Sequence, residues 1–147
     1  KTARTNEYAI EILKEYFPKK RIIDLDLKKN DKIPYEGILH LDCTFNPIGK
    51  DKCIIYKNGF VDESDYELVV DIFGEENCFN ITDEEMFEMN PNIFSISPEV
   101  VVSDHTFTRM NKHLRDVWGF TVEEIPYREV SKMGGLLRCS TMPLVRE

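Results

Sequence analysis

Gly37-Ile38-Leu39-His40-Leu41-Asp42-Cys43-Thr44-Phe45-Asn46-Pro47-Ile48-Gly49 is the stretch on which the fold turns. It is rich in β-branched and aromatic strand formers, and after a short Gly49-Lys50-Asp51 turn a second apolar run follows, Lys52-Cys53-Ile54-Ile55-Tyr56. Two such runs around so short a turn predict a hairpin. Downstream, Tyr66, Val69, Val70 and Phe73 recur at helical spacing over Asp65 to Phe73, Gly74 ends that helix, and Cys78 to Ile81 reads as a short strand. The order is strand, strand, helix, strand.

The same order then recurs. After a helical segment from Asp83 to Met89, with Thr82 as N-cap and Glu85 completing a capping box, Asn92 to Ser97 and Val100 to Ser103 read as two strands around Pro98. A helix over Thr106 to Trp118 and a strand over Thr121 to Ile125 complete the second unit. Its first strand begins at residue 92 against 37 in the first unit, a spacing of about 55 residues that belongs with repeat architectures. Upstream, Ala9, Ile10, Leu13, Tyr16 and Phe17 predict an amphipathic helix from Asn6, its N-cap, to Phe17, closed by Pro18. Arg21 to Leu27 alternates as a half-buried strand does, and the polar stretch 28–36 is a loop. The expectation is an α/β array, cut at both ends, in which the Cys139 segment opens a further unit.

Composition narrows the function classes. With 147 residues and 41% hydrophobic content the chain supports one domain with a core. Its net charge is −8 and its lysines and arginines are scattered, which excludes a nucleic-acid groove and suits a small cationic substrate. Cys43, Cys53, Cys78 and Cys139 form no CxxC pair, so neither a zinc site nor a redox dithiol is indicated. There is no apolar run of membrane length and no secretory signal, and a reducing, cytoplasmic setting is expected. The chain starts Lys1-Thr2-Ala3 without an initiating methionine, so it is expected to be a piece of a longer protein; a homo-oligomer is left open.

Two constellations carry chemistry. Gly134-Gly135-Leu136-Leu137-Arg138-Cys139-Ser140-Thr141-Met142-Pro143 sets a cysteine after a glycine-led apolar run, and reads as a loop entering a short strand. The glycines allow positive φ or close approach, and Ser140 and Thr141 offer local hydrogen bonds. His40-Leu41-Asp42 on a strand would turn its imidazole and carboxylate to one face, with Leu39 and Leu41 facing the core. A thiolate, a proton carrier and a carboxylate are the parts needed to attack a planar cation. The plainer alternative is a small buried thiol, a satisfied core histidine and a turn aspartate.

With Arg4-Thr5-Asn6 ahead of a helix, the runs Leu39 to Gly49 and Gly135 to Leu144 resemble the guanidine-modifying enzymes of the pentein superfamily: arginine deiminases, arginine dihydrolases and amidinotransferases. The resemblance spans essentially the whole chain, residues 1–147, as the C-terminal portion of that catalytic domain. It implies a propeller of five strand-strand-helix-strand units around a central pocket, of which this chain supplies roughly half. It also implies that Cys139 attacks the guanidinium carbon, that His40 shuttles protons, that Asp42 holds the guanidinium nitrogens, and that no metal or organic cofactor is needed. The expected substrate is a guanidino compound such as arginine, with an absent N-terminal half or second chain completing the pocket. The deiminase branch carries an acidic residue just before its Arg-Thr pair; here that position is Ala3.

Arg4 and Arg138 are candidates for a substrate carboxylate, Arg138 also for raising the positive potential at Cys139, with salt bridges as the plainer reading of both. Asn46 reads as a turn residue before Pro47, and Cys43 as a core thiol pointing away from the pocket. The leading expectation is a deiminase- or dihydrolase-type hydrolase. Its rivals are an amidinotransferase and a noncatalytic, pentein-like protein-binding module.

Overall fold

A computed structural model describes residues 1–2, 4–30, 32–33 and 36–144. Ala3, and Pro34 in the 28–36 loop, lie outside the described residues. Helix α1 (Glu7–Tyr16) begins as expected: the Asn6 side chain accepts a hydrogen bond from the Ala9 N–H. Of its apolar face Ile10 is buried, while Tyr8, Leu13, Tyr16 and Phe17 are exposed.

The first unit starts with strands β1 (Phe45–Ile48) and β2 (Lys52–Ile55), antiparallel, with Phe45 opposite Ile55 and Gly49 turning the corner at φ +60°. Helix α2 (Glu63–Phe73), ended by Gly74 at φ +85°, carries the chain over to β3 (Cys78–Asn80), which pairs in parallel with β2. A parallel neighbour requires such a crossover. Helix α3 (Asp83–Phe87), started by the Thr82–Glu85 capping box, leads to the second unit. There β4 (Phe94–Ser95) pairs antiparallel with β5 (Val100–Asp104), and helix α4 (Thr108–Asp116) crosses to β6 (Thr121–Ile125), parallel to β5. Two short helices follow, α5 (Arg128–Ser131) and α6 (Leu137–Ser140). The α/β class and the twofold recurrence are therefore present. The units' first strands start 49 residues apart, at Phe45 and Phe94, because both begin later than the sequence suggests.

Three local expectations are corrected. Arg21 to Leu27 keeps its alternation, with Leu25 and Leu27 buried, but forms no strand; it is tied down by the Leu27–Phe60 bridge and by single bonds such as Asp26 N–H to Asp65. The 37–44 stretch is not a strand. The β1–β2 ladder runs out at Thr44, whose carbonyl accepts the Tyr56 N–H, and the chain beyond Tyr56 turns away as a 3-10 segment, Lys57–Gly59, so that β2 offers residues 37–43 no ladder and Ile38 N–H bonds to the Lys28 carbonyl instead. They instead end in a 3-10 turn, Leu41–Cys43, with Leu39 and Leu41 exposed rather than in the core. The Cys139 segment is a helical turn, not a strand.

One apolar cluster runs through both units: Ile54, Ile55 and Phe79 from the first, with Ile93, Val101 and Leu114 from the second. Leu136 and Leu137 are buried in the same cluster and so fasten the cysteine segment to it. Among the described residues no helix is long and apolar enough to cross a membrane.

Candidate active site

Cys139 is the exposed member of the four free thiols. Its helix α6 is only four residues long, and local bonding explains why it forms. Gly134 and Gly135 reverse the chain at φ +79° and +117°, values that favour glycine. Leu136 and Leu137 then plug into the core, and the Ser140 and Thr141 hydroxyls close the turn on the Leu136 and Leu137 carbonyls, at 2.6 and 2.7 Å. Gly135 is needed twice over, since a Cβ there would lie 2.9 Å from Cys139 Cβ and 3.5 Å from its Sγ. Its N–H is held by Met89 Sδ at 3.2 Å, and Met89 itself takes φ +65°, an uncommon value for a side-chain-bearing residue.

What supplies the start of this turn lies 47 residues away. Asn92, fully buried in the lead-in to β4, accepts the Leu136 and Cys139 N–H groups on Oδ1, at 3.0 and 3.2 Å. Its Nδ2 donates to Cys139 Sγ at 3.2 Å and to Asp42 Oδ2 at 3.3 Å. Its backbone carbonyl accepts the Arg138 N–H at 3.1 Å. One asparagine therefore brings Asp42 and Cys139 together. The sequence alone places Asn92 at the start of a strand and gives no sign that its amide reaches residues 50 and 47 positions away.

Asp42 sits in the 3-10 turn before β1. Its Oδ2 also lies 3.7 Å from Arg138 Nε, while its Oδ1 is buried with no hydrogen-bond partner among the described residues. A buried carboxylate oxygen without a donor is an acceptor waiting for one. Arg138 reaches further, to Asn46 Oδ1 at 3.1 Å. Asn46 is not a turn residue but a buried β1 residue whose Nδ2 donates to the Pro91 and Ile93 carbonyls, at 2.6 and 3.2 Å, pinning the Asn92 loop to the first unit.

Among the described residues no hydrogen bond or ion pair joins His40 or Arg4 to the Cys139 sulfur. With the strand absent, the alternation that would align His40 with Asp42 is lost. The exposed His40 ring lines a separate cleft of about 300 Å³ beside Thr2, Ile10, Leu25 and Leu41, and among the described residues no hydrogen bond joins it to Asp42 or Cys139. Arg4 is exposed, its N–H held by Thr2 Oγ1. Cys43 is half-buried. Burial pushes its thiol up to about 11, opposed by hydrogen bonding from the His40 backbone and reinforced by charge at Asp42 and Cys139, so it lies near enough to feel both while remaining protonated. Cys53 and Cys78, with sulfurs 3.4 Å apart, are likewise pushed up by burial. No group of three or more His, Cys, Asp or Glu side chains suited to a metal ion occurs among the described residues.

The family model of arginine deiminase matches residues 58–146, more than half of the chain. The chain belongs to the arginine deiminase family. The match takes in Asn92 and Cys139 and begins after His40 and Asp42. The uncharacterised Bacillus subtilis (strain 168) protein YkgA is 30% identical over 144 residues, which are 97% of this chain and 46% of that protein. Among solved structures, the product-bound N-terminal domain of ArgZ, an arginine dihydrolase from the ornithine–ammonia cycle in cyanobacteria, matches with a TM-score of 0.79 at 17% identity, over 97% of this chain and 48% of that one. SxtG, an amidinotransferase from Microseira wollei in the saxitoxin biosynthetic pathway, matches with a TM-score of 0.73 at 20% identity, over 97% and 40%. At these identities the two structures speak for the shared fold. This chain spans about half the length of the curated relative.

Proposed function

We propose that the protein modifies the guanidinium group of arginine or a close relative by hydrolysis, through a covalent intermediate on Cys139. The observation that carries the reading is the meeting of an exposed thiol with a carboxylate, Asp42, that has one buried oxygen lacking a donor. A guanidinium N–H supplies that donor, and the same contact turns the cation's carbon toward the sulfur. The Cys139 thiolate adds to that carbon. The carbon–nitrogen bond then breaks and ammonia leaves with an added proton, giving an S-linked thiouronium-type intermediate. Water attacks the same carbon, the carbon–sulfur bond breaks, and a ureido product departs as the thiolate is restored. A second round on the ureido group releases a second ammonia and leaves a carbamate, which loses carbon dioxide to give the amine.

Arg138 is itself a guanidinium beside Asp42, so a substrate enters where a like group already sits. The part assigned to His40 is to carry protons to the leaving amine and from water. A binding role for Arg4 at the substrate carboxylate likewise belongs to the full pocket. That pocket is completed by a further half of the protein, closing the units into a five-unit propeller and covering the exposed face of α1.

Likeness to SxtG favours a second reading, transfer of the amidino group to an amine in place of water. Incubating the protein with arginine, with and without glycine as acceptor, separates the two: citrulline or ornithine with ammonia marks hydrolysis, and ornithine with a guanidino product only when acceptor is present marks transfer. Cys139→Ala is expected to lower either turnover by at least about 10³-fold with the melting temperature unchanged. Undiminished turnover in that variant overturns the reading, and a protein that shows no turnover and no preferential labelling of Cys139 is the noncatalytic binding module.

A further inference from the structure

We propose that Asn92 is the positioning residue of this site: its carboxamide fixes the Cys139 sulfur against Asp42 and donates a hydrogen bond to that sulfur. The proposal rests on Cys139 being the nucleophile. A carboxamide has two donor hydrogens and an oxygen with two lone pairs, and Asn92 uses all four, on Leu136, Cys139 and Asp42. Its oxygen accepts from the Leu136 and Cys139 N–H groups, and its nitrogen donates to Cys139 Sγ and Asp42 Oδ2. This pattern admits one orientation only, because a flipped amide would set its NH2 against two N–H donors and its oxygen against a carboxylate. The side chain is fully buried, so it neither rotates freely nor exchanges these bonds for water.

The lever is rigid at both ends. Asn92 is anchored through its own carbonyl to the Arg138 N–H, and its neighbours Pro91 and Ile93 are held by Asn46 Nδ2. A donor shared between the sulfur and the Asp42 carboxylate holds the sulfur in one position beside that carboxylate. The bond to Asp42 keeps Oδ2 occupied, leaving the buried Oδ1 to receive the substrate cation. The second unit thus sets the aim of a nucleophile that follows it in the chain.

The test is the rate of Cys139 alkylation in the full chain, followed by peptide mass spectrometry with 2-chloroacetamidine, a cation, and iodoacetamide, a neutral reagent, at one pH. In the unmodified protein Cys139 is expected to be labelled ahead of the other three cysteines and faster by the amidine; if it is not, the nucleophile assignment itself fails. Asn92→Ala is expected to slow Cys139 labelling by the amidine about tenfold, to slow labelling by iodoacetamide no more than about twofold, and so to lose the preference for the amidine. An unchanged preference for the amidine, or an equal loss with both reagents, overturns the role of Asn92 while leaving that of Cys139 standing. A measurement without any variant guards against misfolding. The Asn92 side-chain amide resonances of ¹⁵N-labelled protein are expected to shift when Cys139 is alkylated, and their failure to move also overturns the proposal.

Discussion

The two units share one topology and use it differently. In the first, β1 pairs with β2 over four residues and β2 with β3 over three; in the second, β4 pairs with β5 over only two while β5 and β6 pair over five. The shortened β4 is the informative difference. The residues ahead of it give up ladder bonds within their own sheet, and their groups are turned outward: the Pro91 and Ile93 carbonyls accept from Asn46, and Asn92 reaches Asp42 and Cys139. In the first unit the equivalent lead-in curls into the 3-10 turn that presents Asp42. The repeat supplies the scaffold, and the candidate site is assembled where each unit's first strand has not yet begun.

The units also close their corners differently, and this is where the comparison can be broken. After β2, the first unit is held by Thr44 Oγ1 donating to the Tyr56 carbonyl at 3.1 Å and by Tyr56 OH donating to the carboxylate of Asp83, which is exposed where its counterpart in the second unit is buried, at 3.0 Å. After β5, the second unit relies on Asp104, fully buried, whose carboxylate accepts from the Thr106 N–H and hydroxyl and from the Tyr127 N–H. Burial alone would raise the Asp104 carboxyl, but these bonds outweigh it and hold the group below the usual carboxylate range. Its folded value being depressed, the stability it contributes is complete above the unfolded value of about 3.9 and is lost as pH falls through the folded value. Asp104→Ala is therefore expected to cost about 3 kcal/mol at neutral pH, read as a lowered denaturant midpoint, and to flatten the loss on acidification. Hydrogen exchange in acid should open β5 and β6 before β1 and β2; simultaneous opening would mean that the two corners are not different after all.

A smaller effect sharpens the link between the units and the cysteine. Gly135→Ala forces a side chain into φ +117° and against Cys139 Cβ, and is expected to cost about 2 kcal/mol in a thermal melt and to reduce Cys139 labelling along with it. The mildest is Thr82→Ala in the capping box of α3, which should cost about 1 kcal/mol and leave Cys139 labelling unchanged, since among the described residues that helix makes no hydrogen bond or ion pair with Cys139, Asp42 or Asn92. If it altered labelling as strongly as Gly135→Ala, the connector would belong to the site.

The strand-strand-helix-strand order, the Asn6 cap, the Thr82–Glu85 capping box and the Gly74 stop were all legible in the sequence, because each depends on residues within a few positions of one another. The same is true of the glycines before Cys139 and of the hydroxyls that close its turn. Alternation at 37–43 misled, since a strand pattern becomes a strand only where a neighbour offers a ladder, and Lys57–Gly59 turns the neighbour away. Cys139 as the exposed thiol could be singled out from its flanking residues. That its helix begins on an asparagine 47 residues earlier, and that the same amide holds Asp42, depended on long-range packing of Leu136, Leu137 and Ile93 into one core, which no local pattern encodes.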